Sequence, residues 1–569
     1  MTGAPLKRLF GLTLGLLPIV VWAWFTWVNP RPYYIAEDDD EHVTYYSAKL
    51  LGSGHAALMD LHVPGLTTTY VAAASAAFGG GRPRSPDELF VWLRFLGAAF
   101  SGLALYLINR FTFRSTPIGV TALALAPALI WPSFLLYFDY FDANVLQTPL
   151  GLLTIAIFWS SLDDSLTQER RQRRLIYVGA VLGLSLATKF TFVPVAVAIF
   201  ATTAVLTVRQ GERRGASLLA LAASSAATFA IISAPVITEI FVVLIGLLSD
   251  SMSIDIGATW QFMRWWRPWM AFFLLNGPAA VVALSAVGSF LALLFLTRPR
   301  TGAAFYQGVF LLLMLGALAH TMVAGDSDAR GLRLAQPSAM CVPFLILYCY
   351  NQTKQRYKFG TPSALQQVAL LILALWVVVP PAVRRLEGRR LFVQTQTMIG
   401  KEVHLRLMAL RKPGTRVAIW DYPGEAAFHY WGNYKYGRDT FDTDLRLNYP
   451  EYAFFRLREV PRILRGEPGL NSPLDRVPGS RFGWPGRAYR RLFPQRDRRH
   501  SDELVAGESS GVKVSLIAVM DSSVAWELGN DTEPHAIENM IALIERRFGP
   551  ASVRHESIAG ERWMIIELG

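Results

Sequence analysis

The run Leu9-Phe10-Gly11-Leu12-Thr13-Leu14-Gly15-Leu16-Leu17-Pro18-Ile19-Val20-Val21-Trp22-Ala23-Trp24-Phe25-Thr26-Trp27-Val28 follows Lys7-Arg8 and precedes the acidic stretch Glu37-Asp38-Asp39-Asp40-Glu41-His42. A hydrocarbon core of about 30 Å takes roughly 20 apolar residues as a helix, so this run is long enough to span a bilayer. Val21-Trp22-Ala23 is only loosely small, and Trp22, Trp24 and Trp27 crowd the end with no A-x-A site behind them. A retained anchor is therefore expected rather than a cleaved signal peptide.

Outward from it, ten further apolar runs lie near 89–109, 117–136, 144–162, 175–188, 191–208, 217–236, 277–297, 305–324, 337–350 and 363–381, which makes eleven in all. With the N-terminus in the cytoplasm, one side receives Arg110 and Arg114, the run Arg170-Arg171-Gln172-Arg173-Arg174, Arg209 with Arg213 and Arg214, Arg298 with Arg300, and Lys354 with Arg356 and Lys358. Every inward turn obeys the positive-inside rule. The 569 residues are 52% hydrophobic and 17% charged, with a net charge of +12 and a mean hydropathy of +0.30. Because the basic residues fall mainly in short loops between apolar runs, the charge reads as bilayer topology, and no nucleic-acid partner is expected. Cys341 and Cys349 lie eight apart in one apolar segment, about two helical turns from each other, and cannot pair. The expected architecture is a polytopic α-helical membrane protein of about eleven spans in the cell inner membrane, with its C-terminus outside.

From about 383 the apolar runs stop. Strand-like stretches follow at 415–420, 512–520 and 563–568, with a helical pattern at 536–548, so residues 383–569 read as a separate extracytoplasmic soluble α+β domain. Residues 1–382, with an outer loop at 29–88, form the membrane domain. Between 481 and 500 lie seven arginines with Pro, Gly and Trp, either a solvated loop or a surface for anionic headgroups or acidic glycan.

Five consecutive carboxylates outside the first helix repel one another and raise one another's pKa values, so something is expected to use them. The plain alternative is a solvated acidic turn, or the cap of a helix starting near Val43. Clustered Asp also suits Mg or Mn, so a divalent cation is an open role, although no closed ligand spacing appears. The segment Trp260-Gln261-Phe262-Met263-Arg264-Trp265-Trp266-Arg267-Pro268-Trp269 reads as a helix in the headgroup region, the alternative being that Arg264 or Arg267 holds a lipid phosphate.

After the acids come Tyr45, Tyr46, Ala48, Lys49, Leu50 and Leu51, a Gly52-Ser53-Gly54 break, then Asp60-Leu61-His62-Val63-Pro64-Gly65 and Tyr70. This stretch resembles the first periplasmic loop of the GT-C class of membrane glycosyltransferases, particularly the bacterial relatives of the dolichyl-phosphate-mannose protein mannosyltransferases and the aminoarabinose transferases. Three later elements are similar to the same family: Asp142 at the outer start of the fourth span, Gly183-Leu184-Ser185-Leu186-Ala187-Thr188-Lys189, and Arg333-Leu334-Ala335-Gln336-Pro337. The resemblance covers residues 1 to about 380. It implies that Asp39 is the leading catalytic acid, with Asp40 where the family has Glu, and with Asp38 and Asp40 as neighbouring candidates for the register. Asp142 takes the second acidic position, and Asp139 is its nearby substitute. Lys189 and Arg333 would bind the donor phosphate, and Tyr45 and His62 would line the cleft. Each residue also has a plainer reading: Lys189 and Arg333 as side chains snorkelling to the interface, Asp142 as a helix cap, His62 as an ordinary loop histidine.

There is no Walker-type phosphate loop, no H-E-x-x-H, no C-x-x-C pair and no nucleophile elbow. A sugar donor would then arrive activated on a lipid, as the resemblance also implies. The expected function is an inverting glycosyltransferase that moves a sugar from a polyprenyl-phosphate donor to a glycan, lipid or protein acceptor at the outer face. A multi-span transporter or flippase is the competing class, but it normally shows related halves and midplane charge. A scaffold that merely presents the tail is a third.

Overall fold

The computed structural model describes residues 3–35, 40–52, 65–77, 85–130, 138, 141, 145–210, 215–234, 276–297, 301–324, 336–358, 360–420, 424–425, 449–454, 514–520, 538, 541–542, 544–545 and 549–569. Each of the eleven apolar runs contains a helix: α1 Gly3–Trp27, α4 Pro86–Phe111, α5 Ile118–Leu129, α6 Gln147–Ser161, α7 Gln168–Thr188, α8 Val193–Arg209, α9 Ala216–Ser233, α10 Gly277–Thr297, α11 Gly302–Ala324, α13 Val342–Tyr357 and α14 Ala364–Leu410. Shorter helices are α2 Asp40–Gly52, α3 Leu66–Ala77 and α12 Gln336–Ala339. Among the described residues seven helices are long and apolar enough to cross a membrane. The chain is a multi-pass membrane protein with a small C-terminal sheet.

Internal packing divides the chain into two units. One is Met1–Pro30, Val63–Ile237 and Ile254–Arg389; the other is Arg31–His62, Thr238–Ser253 and Arg390–Gly569. The boundary between these units at 389/390 falls inside α14, and residues 31–62 group with the tail. The change of composition near 383 does not end the helix, which runs on although Pro380 and Pro381 within it have no amide hydrogen to donate.

In the first unit the basic loops gather at one end. Lys7 Nζ donates to the Thr116 carbonyl oxygen at 2.7 Å and to Thr121 Oγ1 at 2.8 Å, so the start of α1 meets the α4–α5 loop. Arg171, at the start of α7, donates to Ser161 O at 3.2 Å and to Gln210 Oε1 at 2.7 Å, just past α8. Arg209 lies 4.1 Å from the Phe305 ring centroid. The Asp164 carboxylate accepts from the Ala303 amide at 2.6 Å, which brings the α6–α7 loop to the start of α11. The stacking of Phe344 against both Phe113 and Trp159 joins these two groups of loops.

Between the ends, helices without a hydrophobic drive to associate approach through small residues. A Cβ on Gly102 of α4 would stand 2.0 Å from the Gly15 carbonyl oxygen of α1. On α7, a Cβ on Gly179 would stand 1.9 Å from Ser224 Oγ, and one on Gly183 would stand 2.4 Å from the Ser225 carbonyl oxygen of α9. Gly183 opens the Gly-Leu-Ser-Leu-Ala-Thr-Lys segment, so the glycine that begins the motif also sets the distance between two spans.

In the second unit, β1 Arg416–Trp420, β2 Tyr452–Phe454, β3 Val514–Met520, β4 Ala551–Ile558 and β5 Glu561–Leu568 form a mixed sheet of order β2-β1-β3-β5-β4. β1 is parallel to β2 and β3, and β5 is antiparallel to β3 and β4. The alternation of β3 is apolar on both faces. Leu516 and Ala518 pack with Val403 and Leu407 of α14 and with Trp563 and Ile565. Ile517 and Val519 pack with Ile544, Met564 and Ile566 on the other side. A strand covered on both faces reads as a continuous apolar run.

Gly183→Val should destabilise the protein by roughly 1–3 kcal/mol through overpacking, read as a lower Tm in detergent. Gly288→Ala, where a Cβ meets nothing within 4 Å, should leave the Tm unchanged or slightly raised.

Candidate functional site

Each unit holds part of the expected site. In the second unit, Arg31 and Glu41 form an ion pair at 2.5 Å with both side chains at 0% exposure. The same guanidinium donates to the Ile35 carbonyl oxygen. One side chain therefore holds the residue just before and the residue just after the stretch 36–40. Arginine suits this task because its rigid fork offers several donors in fixed directions. Glu41, the last of the five carboxylates, is thus a structural partner.

Asp40 is the first residue of α2. Tyr45, on the same helix, is buried. Its ring meets Tyr46 edge-on at 5.1 Å, and Lys49 Nζ lies 5.4 Å from its centroid.

Beside this segment Tyr33, also buried, donates its hydroxyl to Glu425 Oε1, 392 residues later in the chain. Burial first, and then the neighbouring Glu425 carboxylate, raise the phenols of Tyr33 and Tyr449 well above the ordinary phenol range, so both stay protonated.

In the first unit, the end opposite the basic loops is lined by amides, hydroxyls and one ammonium. Thr188, the last residue of α7, lies 2.9 Å from the Thr67 hydroxyl of α3. Lys189 follows in extended backbone, with its amide bonded to the Ser185 carbonyl at 2.8 Å and its side chain half-buried. A cation there is favoured by the negative end of α7. Thr191 donates to Gln147 Oε1 at 3.4 Å, and Gln336 of α12 donates its amide to Thr148 Oγ1. Gln336 and Ser338 are fully buried, and among the described residues Gln336 Oε1 and Ser338 Oγ have no hydrogen-bond partner. Polar atoms buried in this way normally face a ligand, water or ion.

Of the expected site residues, Asp38, Asp39, His62, Asp139, Asp142 and Arg333 lie outside the described residues, as do 260–269 and 481–500. Lys189 and Tyr45 are described, and so is the backbone of Asp40. The described flanks of three separate motifs nonetheless meet in the first unit: Gln147 and Thr148 after Asp142, Thr191 just after Lys189, and Gln336 after Arg333. Among the described residues no group of three or more His, Cys, Asp or Glu could hold a metal ion. Sequence reasoning missed Arg31, Tyr33, Glu425, Tyr449 and Gln336. Only Arg31 carried a signal, as an isolated cation ten residues before Glu41.

No family model and no curated protein matches the chain. Among solved structures it is similar to ArnT from Cupriavidus metallidurans bound to undecaprenyl phosphate, at 11% identity over 97% of each chain with a TM-score of 0.46. The apo state of that protein gives 12% identity, 97% of each chain and a TM-score of 0.47. The archaeal oligosaccharyltransferase AglB from Archaeoglobus fulgidus, in complex with an inhibitory peptide and a dolichol-phosphate, gives 12% identity, 98% of this chain, 74% of that chain and a TM-score of 0.44.

Arg31→Met removes the guanidinium from a buried Glu41, which should destabilise the protein by about 3–5 kcal/mol. Adding Glu41→Met should restore most of the lost thermal stability. A double variant no more stable than the single one would show that the pair is not what holds the segment.

Proposed function

We propose that the chain is an inverting glycosyltransferase that moves a sugar from a polyprenyl-phosphate donor to an acceptor at the membrane face opposite the basic loops. The observation that carries this reading is the meeting of three motif flanks, Gln147–Thr148, Thr191 just after Lys189, and Gln336, at one end of the first unit. The resemblance of the motifs themselves to the GT-C class supports it. The absence of a nucleotide phosphate loop from the sequence fits a donor carried on lipid.

In this reading Asp39 accepts the proton of an acceptor hydroxyl as its oxygen attacks the anomeric carbon. The bond to the lipid phosphate breaks on the opposite side, which inverts the centre. The leaving phosphate carries the charge that develops in the transition state. Lys189 and Arg333 stabilise that charge, and their effect is largest where water is excluded. Asp142, with Asp139 beside it, orients the acceptor. The proposed topology places the N-terminus in the cytoplasm and the tail outside, in the inner membrane of the cell. The tail would bind a glycan, lipid or protein acceptor. A divalent cation remains a proposal for the carboxylates at 38–40, and no step above runs through one.

Purified protein incubated with a panel of polyprenyl-phosphate sugars should transfer or hydrolyse at least one of them. Asp39→Asn should then reduce turnover by about 10²–10⁴-fold without loss of membrane insertion, and Asp38→Asn and Asp40→Asn should have smaller effects. Lys189→Met should cost about 10²–10³-fold in kcat. Full turnover by Asp39→Asn would remove the base assignment.

Sidedness has its own test. In a Cys341→Ala, Cys349→Ala background, Ser85→Cys at the start of α4 and Ser165→Cys in the α6–α7 loop are both exposed. An impermeant thiol reagent added to intact spheroplasts should label position 85 and spare position 165 until the membrane is permeabilised.

A further inference from the structure

From Ala364 to Val383, 20 positions in all, α14 carries no charged residue. At about 1.5 Å per residue that stretch is about 30 Å long, the thickness of a hydrocarbon core. It begins beside the start of α5, where a Cβ on Gly119 would stand 2.6 Å from the Gln367 carbonyl oxygen. Lys7 bonds Thr121 there, so this is the end of the basic loops. Arg384 and Arg385 are the first residues past the other end, at the level of lipid headgroups. Between 384 and 390 stand four arginines and one glutamate. Topology keeps Lys and Arg scarce on the face opposite the basic loops, so a cationic group of this size there needs a cause.

Arg385 does not simply reach for water. Its Nη1 donates to the Ile130 carbonyl oxygen at the end of α5, and its Nη2 donates to Asn276 Oδ1 at 2.6 Å, just before α10. A guanidinium that only snorkels ties no helix ends together. Both acceptors are uncharged, so they fix the plane of the fork without cancelling its charge. Arg389, one turn on along the same helix face, is 4% exposed and adds a second charge behind it. Arg384 is exposed. A cation already held in place loses little freedom on meeting an anion. Its fork takes phosphate oxygens two at a time, and lipid headgroups are the phosphates met at this level, in basic pockets between span ends.

We propose that Arg384 and Arg385, with the charge of Arg389 behind them, bind the phosphodiester of an anionic glycerophospholipid where α14 leaves the bilayer. A bilayer lipid fits better than the polyprenyl phosphate of the proposed reaction, because the bonds here join α5, α10 and α14. Those near Lys189 involve α3, α6, α7 and α12. The site depends on the multi-pass fold and not on the transferase reading.

The test uses the full-length protein, stripped of lipid in a neutral detergent, and equilibrium binding of fluorescent phosphatidylglycerol and phosphatidylcholine. The wild type should prefer phosphatidylglycerol by about tenfold or more, because phosphatidylcholine carries the same phosphodiester without net charge, and the preference should shrink as salt rises. Arg384→Gln should lose about fivefold in phosphatidylglycerol affinity, the share of one charge at a membrane surface. Arg385→Lys keeps the charge but not the fork, and should lose about tenfold. Arg173→Gln, which removes an exposed charge paired with Glu169 at the basic end, should lose nothing. Because Arg384 is exposed, its variant carries the test even where changes at Arg385 disturb the ends of α5 and α10.

Equal affinity for the two lipids, or wild-type affinity in both Arg384→Gln and Arg385→Lys, overturns the site. A fall in Tm in phosphatidylcholine that accompanies the loss in both variants shows purely structural cations, and also overturns it. Undecaprenyl phosphate that displaces phosphatidylglycerol at a lower concentration, with the same variants weakened, overturns the bilayer-lipid assignment in favour of the carrier. Inorganic phosphate that displaces it equally well overturns the lipid assignment altogether. Sugar transfer enters none of these outcomes, so the transferase stands or falls by its own assay.

Discussion

Hydrocarbon cannot hydrate a charge, and the arrangement of the first unit follows from that constraint. Lys7, Arg171, Arg209 and Asp164 are all at span ends, each bonded to a carbonyl, an amide or a ring at the same end of the bundle. Between the ends, small residues set the closest helix approaches. The backbone of α1 approaches α4 at Gly102, and α7 approaches α9 at Gly179 and Gly183. The far end then receives mostly uncharged groups, with Lys189 as its described cation. Charge sorting and close helix approach are thus two results of one solvent.

The second unit meets the same cost by a different route. Arg31 and Glu41 are both out of water, and such a pair is tolerated because the guanidinium finds a second acceptor at Ile35. This changes what the five-acid run means. One of its members is committed to holding the chain, which lowers the repulsion the others must bear. Glu425, which is exposed, accepts from the Tyr33 hydroxyl.

Hydropathy made the membrane part legible, because a span must be apolar along its whole length and each of the eleven runs contains a helix. It was less informative about the crossings: α5 and α6 are short, and seven helices meet the length and composition of a span among the described residues. In the tail, the runs at 415–420, 512–520 and 563–568 announce β1, β3 and β5 because all three sit in the interior of the sheet. β4 was silent. It carries Arg554, His555 and Glu556 on an edge, largely exposed, and so lacks the alternation that marks a half-buried strand. β2 has three residues and no pattern to read. Lys189 follows directly on the last residue of α7, at the end of the segment that marks it in the sequence. The bond of Tyr33 to Glu425 was not legible, since a contact closed over 392 residues leaves no local trace.

The composition of the polar end bears on the proposed chemistry. Thr67, Gln147, Thr148, Thr188, Thr191, Gln336 and Ser338 are all uncharged, and Lys189 stands among them. A carboxylate in their place would pair with the ammonium and cancel the field that a departing phosphate needs. Amides and hydroxyls orient toward developing charge without neutralising the cation, and because they are fixed by one another they need not reorganise as the charge appears. The carboxylates of the second unit that the structure describes around the acidic run, Glu41 and Glu425, are each occupied by donors of their own. Acids bonded to donors in one unit, and amides and hydroxyls bonded to one another around Lys189 in the other, are the two ways in which the described polar groups are held.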